Sequence, residues 1–245
     1  MIVTPATRLA LVGQHDAHLT AAERDDDGIG ARLHAEAHAP FLALRAAARE
    51  AGFDLRVHSA YRSFERQASI WNRKARGELP VLDSGAQPLD IATLSPRALA
   101  FAILRWSALP GASRHHWGTD LDVYDAATTP AGYEIQLVPS EVDPGGMHGA
   151  LHQWLDARIA TGTAFGFYRP YDVDRGGVAP ERWHLSFAPV AAEYLRLLTP
   201  ALLRETVAGA DLMLKDIVLE HLDEMHARFV TNVGAPPAAA GGVTA

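Results

Sequence analysis

The chain has 245 residues, 48% of them hydrophobic, and 22 Lys+Arg against 29 Asp+Glu give a net charge of −7, as in a folded protein of one or two domains. It has no cysteine, which excludes disulfides, thiolate metal sites and a thiol nucleophile, so any metal must be held by carboxylates and by the 12 histidines. The acidic balance, without a Lys/Arg block, argues against nucleic acid as a partner. The longest apolar run, Ala98 to Leu104, is far short of the roughly 20 residues that span a bilayer.

At the N-terminus the apolar stretch Leu9 to Val12 is too short for the heart of a secretory signal, so the sequence as it stands reads as cytoplasmic, with a periplasmic or extracellular place left open if the protein is exported or released. Leu33, Ala37, Phe41, Leu44 and Ala48 fall at helical spacing with Gly52 as a stop, predicting a helix over about 30–50. Leu55 and Val57 then alternate with Arg56 and His58 as a short strand. A polar turn, Ser59 to Ser63, leads into a helix from Phe64, with Ser63 as its cap and Glu65 in its first turn. In Asp120-Leu121-Asp122-Val123-Tyr124 the apolar members face one way and both aspartates the other. Trp183-His184-Leu185-Ser186-Phe187 likewise sets His184 and Ser186 opposite its apolar residues. Between these strands, Trp154 and Leu155 suggest a helix and Phe165 to Tyr168 a return to the core. Val138 to His148, with Pro139 and Pro144-Gly145-Gly146, is the expected substrate-covering loop. Leu214, Val218, Leu222, Met225 and Phe229 predict one long amphipathic helix. The Ala, Gly and Pro content of 234–245 predicts a disordered tail. The expected architecture is α+β in a single domain, 1–233, with a central antiparallel sheet flanked by helices. Its motif core lies at about 33–187 and a helical extension at about 190–230.

No GxSxG, GxxxxGK[ST] or HExxH signature is present, and Gly28-Ile29-Gly30 lacks the third glycine of a dinucleotide loop. Ser113-Arg114-His115-His116-Trp117-Gly118-Thr119-Asp120-Leu121-Asp122 sets a histidine before a glycine turn and an aspartate on the polar face of the following strand. Glu181-Arg182-Trp183-His184 supplies a carboxylate in a turn and a second histidine on a strand. Two imidazoles and one carboxylate make a three-ligand zinc site with an open position, leaving a glutamate to take a proton from an attacking water.

These residues resemble the LAS metallopeptidases, which include zinc D-alanyl-D-alanine carboxypeptidases and dipeptidases, peptidoglycan endopeptidases and the signalling domain of hedgehog proteins. The family's SxHxxGxAxD motif is matched by Ser113, His115, Gly118 and Asp122, and its ExWH motif by Glu181, Trp183 and His184. An upstream S-G/A-Y-R-S motif is matched by Ser59-Ala60-Tyr61-Arg62-Ser63, with Gln67 following. The resemblance covers about Leu33 to Phe187, three motifs in the family's order.

The resemblance implies one zinc ion held by His115, Asp122 and His184 in a cleft on the sheet. It implies Glu181 as general base and then general acid, and Arg62 as the stabiliser of the oxyanion. Ser113, Tyr61, Gln67 and Asp120 are candidate substrate contacts. Asp120 stands where the family motif has alanine, and three roles are open to it: acceptor for a ligand histidine, partner for a cationic substrate group, or a solvated carboxylate. His116 should point away from the metal, and the pairs His34/His38 and His148/His152 should lie on solvated faces. The implied partner is a peptidoglycan stem peptide or another D-Ala-terminated peptide, and the implied activity a D-alanyl-D-alanine carboxypeptidase. The alternatives are an L-Ala-D-Glu endopeptidase and a zinc-bearing binding module without turnover.

Overall fold

The structure, a computed structural model, describes residues 4–21 and 29–236. Four strands form one antiparallel sheet in the order β1 (Leu55–Ser59), β2 (Asp120–Asp125), β4 (His184–Phe187), β3 (Phe167–Tyr168). Alternation sends Leu55, Leu121, Val123, Leu185 and Phe187 to one face, where all are buried in the main core. Helix α2 (Ala35–Glu50) contributes Phe41, Leu44 and Ala48 to that core, and α6 (Gly149–Ala160) contributes Leu151 and Leu155. The rings of Phe41, Phe167 and Phe187 meet at 5.4–5.9 Å between centroids. The opposite face carries Asp120, Asp122, His184 and Ser186, all buried.

α3 (Phe64–Ala75) starts where expected, with the Ser63 hydroxyl accepting from the Arg66 N–H. α2 starts later than the sequence pattern suggests. Residues before Ala35 are held extended, because Thr20 N–H donates to the Leu33 carbonyl and His34 N–H to that of Gly118. α1 (Pro5–Leu11) and α4 (Pro96–Leu104) complete the N-terminal half, and the Leu11 carbonyl accepts from the Trp117 indole at 3.0 Å.

The region 130–148 folds around a short helix, α5 (Pro139–Val142), rather than as one open loop. The C-terminal extension is also more broken than periodicity predicts. After α7 (Ala188–Leu197) and α8 (Pro200–Ala208), the expected long helix becomes α9 (Lys215–Glu220), α10 (Leu222–Met225) and a π turn over His226–Val230. Val218, Leu222, Met225 and Phe229 are buried as expected. The interruption at His221 and the wider π turn shift the phase, however, so that Val230 is buried as well. Leu214 sits before α9 at φ +61°. Of the tail expected to be disordered, residues 237–245 lie outside the described residues, while Gly234 N–H donates to the Pro170 carbonyl at 2.7 Å. Among the described residues no helix is long and apolar enough to cross a membrane.

Candidate metal and active site

Sheet register brings the first two site residues together. Asp122 of β2 lies directly opposite His184 of β4, and Asp120 opposite Ser186, so their side chains are cross-strand neighbours on the polar face. The third, His115, comes from a 3-10 turn, Arg114–Trp117, that ends at Gly118 with φ +66°. A Cβ at Gly118 would sit 2.4 Å from Leu19 Cδ2 and 2.7 Å from the His34 amide nitrogen, so both the backbone angle and the space require glycine here. β1 ends in a register irregularity between Val57 and Ser59. The chain beyond it offers the Ala60 carbonyl, which accepts from His115 Nδ1–H at 2.8 Å.

That hydrogen bond fixes the tautomer of His115 and leaves its Nε2 lone pair facing Asp122 Oδ2, 3.4 Å away. His184 is set the other way round. Its Nε2–H donates to Asp120 Oδ1 at 2.9 Å, which turns Nδ1 towards Asp122 Oδ1 at 3.3 Å and Glu181 Oε2 at 3.4 Å. This Nδ1 is buried and has no hydrogen-bond partner. One donor atom each from His115, Asp122 and His184 lie within 4.8 Å of one another, all three residues buried. An unpartnered buried nitrogen converging with a second imidazole and a carboxylate fits a divalent cation with nitrogen and oxygen ligands.

The electrostatics follow from the same arrangement. Burial pushes the His115 imidazole down to about 4, against the pull of Asp122, so it is neutral and ready to ligate. Burial also acts against charge on His184, but the hydrogen bond to Asp120 and the nearby carboxylates of Asp122 and Glu181 outweigh it and hold its proton well above the usual histidine range. Asp122, although buried, is brought down to about 2 by His115 and His184. Burial raises the Glu181 carboxyl, with His184 pulling the other way. A carboxylate so placed is a better proton acceptor than a solvated one.

Of the three roles open to Asp120, its contacts match the first, an acceptor for His184, itself a candidate metal ligand. Asp120 is fully buried, and its two oxygens accept from His184, Arg114 Nε (2.8 Å), Thr119 Oγ1 (2.6 Å) and Ser186 Oγ (3.1 Å). Arg114 is a residue that the sequence reading passed over. It also donates to Ser186 Oγ and the Tyr168 hydroxyl, and lies over the Trp117 ring.

Arg62 donates to Gln67 Oε1 at 2.9 Å and to Ser59 Oγ at 3.3 Å, and its guanidinium lines the same cavity as the three metal-ligand candidates. Gln67, a candidate substrate contact, is wholly buried and spends its amide on Arg62 and the Ala108 carbonyl, so its observed contacts position Arg62. Tyr61, another candidate, turns away from the cavity toward His18 and Arg32. Ser113 does line the cavity.

The cavity holds about 250 Å³. Its lining also includes Trp106 and Trp183, stacked 6.4 Å apart, and the segment Gln136–Pro139, which takes in the first two residues of the expected covering loop. Glu141 ties that segment down, accepting from Gln136 N–H at 2.9 Å and the Tyr133 hydroxyl at 2.8 Å.

His116 points away from the cluster, donating to the Arg62 carbonyl and accepting from Gly111 N–H. The two histidine pairs expected on solvated faces are instead buried. His34 caps α2, His148 meets Thr128 at 3.2 Å, and His152 packs against Arg169. Their i, i+4 spacing alone did not reveal that these helix faces turn inward.

The chain is 29% identical over 124 residues to an uncharacterized protein of Haemophilus influenzae, covering 50% of this chain and 92% of that one. A second uncharacterized protein of the same organism is 44% identical over 77 residues, 31% of this chain and 53% of that one. Among solved structures, VanYB in complex with D-alanine-D-alanine has a TM-score of 0.48 at 23% identity, covering 81% of this chain and 92% of that chain. The LdcB LD-carboxypeptidase has a TM-score of 0.40 at 23% identity, covering 66% and 71%. The family model described as VanY, D-alanyl-D-alanine carboxypeptidase, matches residues 30–190. By that match over most of its length, the chain belongs to the VanY D-alanyl-D-alanine carboxypeptidase family.

Proposed function

We propose that this protein is a zinc peptidase that removes the terminal D-alanine from a D-Ala-D-Ala-ending peptide of the peptidoglycan type. The observation that carries the reading is the convergence of His115, Asp122 and His184, with the Glu181 carboxylate 3.4 Å from His184 Nδ1 and Arg62 in the same cavity. His115 through Nε2, His184 through Nδ1 and Asp122 through a carboxylate oxygen would hold the ion. When bound, zinc supplies a Lewis acid and lowers the pKa of water toward about 7.

The remaining chemistry belongs to side chains of this chain. Glu181, raised by burial, takes the proton of the attacking water and returns it to the amine of the departing D-alanine. Arg62, held by Gln67 and Ser59, keeps further N–H donors for the scissile carbonyl oxygen as negative charge gathers there. Asp120 keeps His184 oriented with Nδ1 toward Asp122, where it would be available to hold the ion.

The test is to incubate the zinc-loaded protein with a pentapeptide stem, a tetrapeptide stem and D-Ala-D-Ala, and to locate each cut by mass spectrometry. Loss of one D-alanine from the pentapeptide is the expected result. A cut between L-Ala and D-Glu would replace the carboxypeptidase reading with the endopeptidase one. Release from the tetrapeptide alone would change the bond from D,D to L,D.

A further inference from the structure

We propose that Lys74 is a specificity-determining residue that binds a free carboxylate of the substrate. The inference rests on the peptidase reading above and names a group that this reading leaves unassigned. The chain relies on arginine for its cations: only two of its 22 basic residues are lysines, Lys74 and Lys215. Lys74 lies in the last turn of α3, and its side chain lines the cavity with Arg62, His115, Asp122, Glu181 and His184. Gln67, which holds Arg62, is seven residues earlier on the same helix and so on the same face, about 10 Å away along the axis. Arg62 and Lys74 thus both line the cleft, with α3 carrying the side chain that holds the one and the ammonium of the other.

The two cations flanking Lys74 in sequence, Arg73 and the C-capping Arg76, are engaged. Arg73 and Arg76 lie 3.6 Å and 3.8 Å from Glu78. The half-buried Lys74 ammonium makes neither a hydrogen bond nor an ion pair among the described residues. Leaving an ammonium partly desolvated without a partner costs free energy, which a ligand carboxylate would recover. The cavity's own carboxylates do not serve. Asp122 is committed to the two histidines, and Glu181 lies against His184. With a divalent cation held beside Asp122, Arg62 and Lys74 leave the cleft with an excess of positive charge, suited to an anionic ligand. Burial lowers the Lys74 pKa while Glu181 supports its charged form and Arg62 opposes it, so a bound carboxylate would stabilise the charge. A peptide of this class offers two sources of carboxylate, the chain end and an acidic side branch.

Two lysines make a direct probe possible. Reductive ¹³C-methylation keeps the charge and gives one resonance for each lysine, assigned with Lys74→Met. Zinc-loaded Glu181→Gln protein is titrated with L-Ala-D-Glu-L-Lys-D-Ala-D-Ala, with its C-terminal amide, and with the form carrying D-Gln in place of D-Glu. The Lys74 resonance should move and its pKa should rise, with Lys215 still. The amidated form that fails to move it identifies the carboxylate. In parallel, Lys74→Met in the otherwise unaltered enzyme should raise KM for the acid by about tenfold or more, a larger effect than on kcat, and Lys74→Arg should recover most of it. If the wild type hydrolyses the peptide while the Lys74 resonance stays fixed and Lys74→Met keeps the wild-type KM, this inference falls and the peptidase reading stands. If the resonance responds but the wild type cleaves nothing, the carboxylate site stands and the catalytic reading falls. No response and no cleavage overturn both.

Discussion

Asp120 shows how much one buried side chain can carry. It accepts from a candidate ligand histidine, a buried arginine and two hydroxyls, and burial, which alone would raise its pKa, is outweighed by Arg114 and His184. Asp120→Asn should therefore do two separable things. Zinc affinity should fall about 10- to 100-fold, measured by competition with a chelator, because His184 loses the acceptor that fixes its tautomer. The metal-free protein should also lose about 3 kcal/mol of stability in thermal or denaturant unfolding, because Arg114 is left without its buried counter-charge. An unchanged zinc affinity would mean that the Asp120–His184 bond does not tune the site. The candidate ligands were legible in the sequence because their motifs fix spacing and alternation. Arg114 was not, although it lies within the same motif, because its partners Tyr168 and Ser186 come from strands far along the chain. Lys74 was hidden for a similar reason: helical spacing relates it to Gln67, but only the fold shows that this face lines the cavity.

At the scale of elements, register does most of the positioning. A shift of β4 by one residue would place Leu185 opposite Asp122 and turn His184 into the core, so the apolar face of the sheet enforces the geometry of the candidate metal site. The strands were readable from alternation, as was the capped start of α3. The start of α2 was not, because Leu33 continues the helical pattern while its backbone pairs with Thr20. The 3-10 turn carrying His115 depends on Gly118, where a side chain would be strained at φ +66° and would collide with Leu19 and the His34 backbone. Gly118→Ala should cost about 2 kcal/mol or more of stability and lower zinc affinity with it, measured by unfolding with and without zinc. A variant as stable as the parent would show that the turn has more freedom than the structure implies.

For the whole molecule, the polar face of the sheet is a store of negative charge held in place by protons and arginines until a cation arrives. With Asp120, Asp122 and Glu181 around it, His184 keeps a proton above the usual histidine range when no metal is bound. Zinc must displace that proton, so affinity should fall about tenfold per pH unit as the pH drops below the His184 pKa, and binding should release a proton. Calorimetry in two buffers of different ionisation enthalpy checks this, and no proton release near neutral pH would contradict it. The C-terminal helices were the least legible region. Their apolar stripe is present, but the break at His221 and the π turn answer to packing against the rest of the molecule, which periodicity does not encode. The proposed function requires a metal at His115, Asp122 and His184 and the carboxylate of Glu181 to act together in hydrolysing a D-alanyl amide. The most direct measurement is D-alanine release from a D-Ala-D-Ala-ending pentapeptide by the zinc-loaded wild type and by Glu181→Gln, with zinc content determined on both. One zinc per chain is expected in each, with the rate in the variant lower by about 10²-fold or more. Equal rates, or release by wild-type protein stripped of metal, would contradict it.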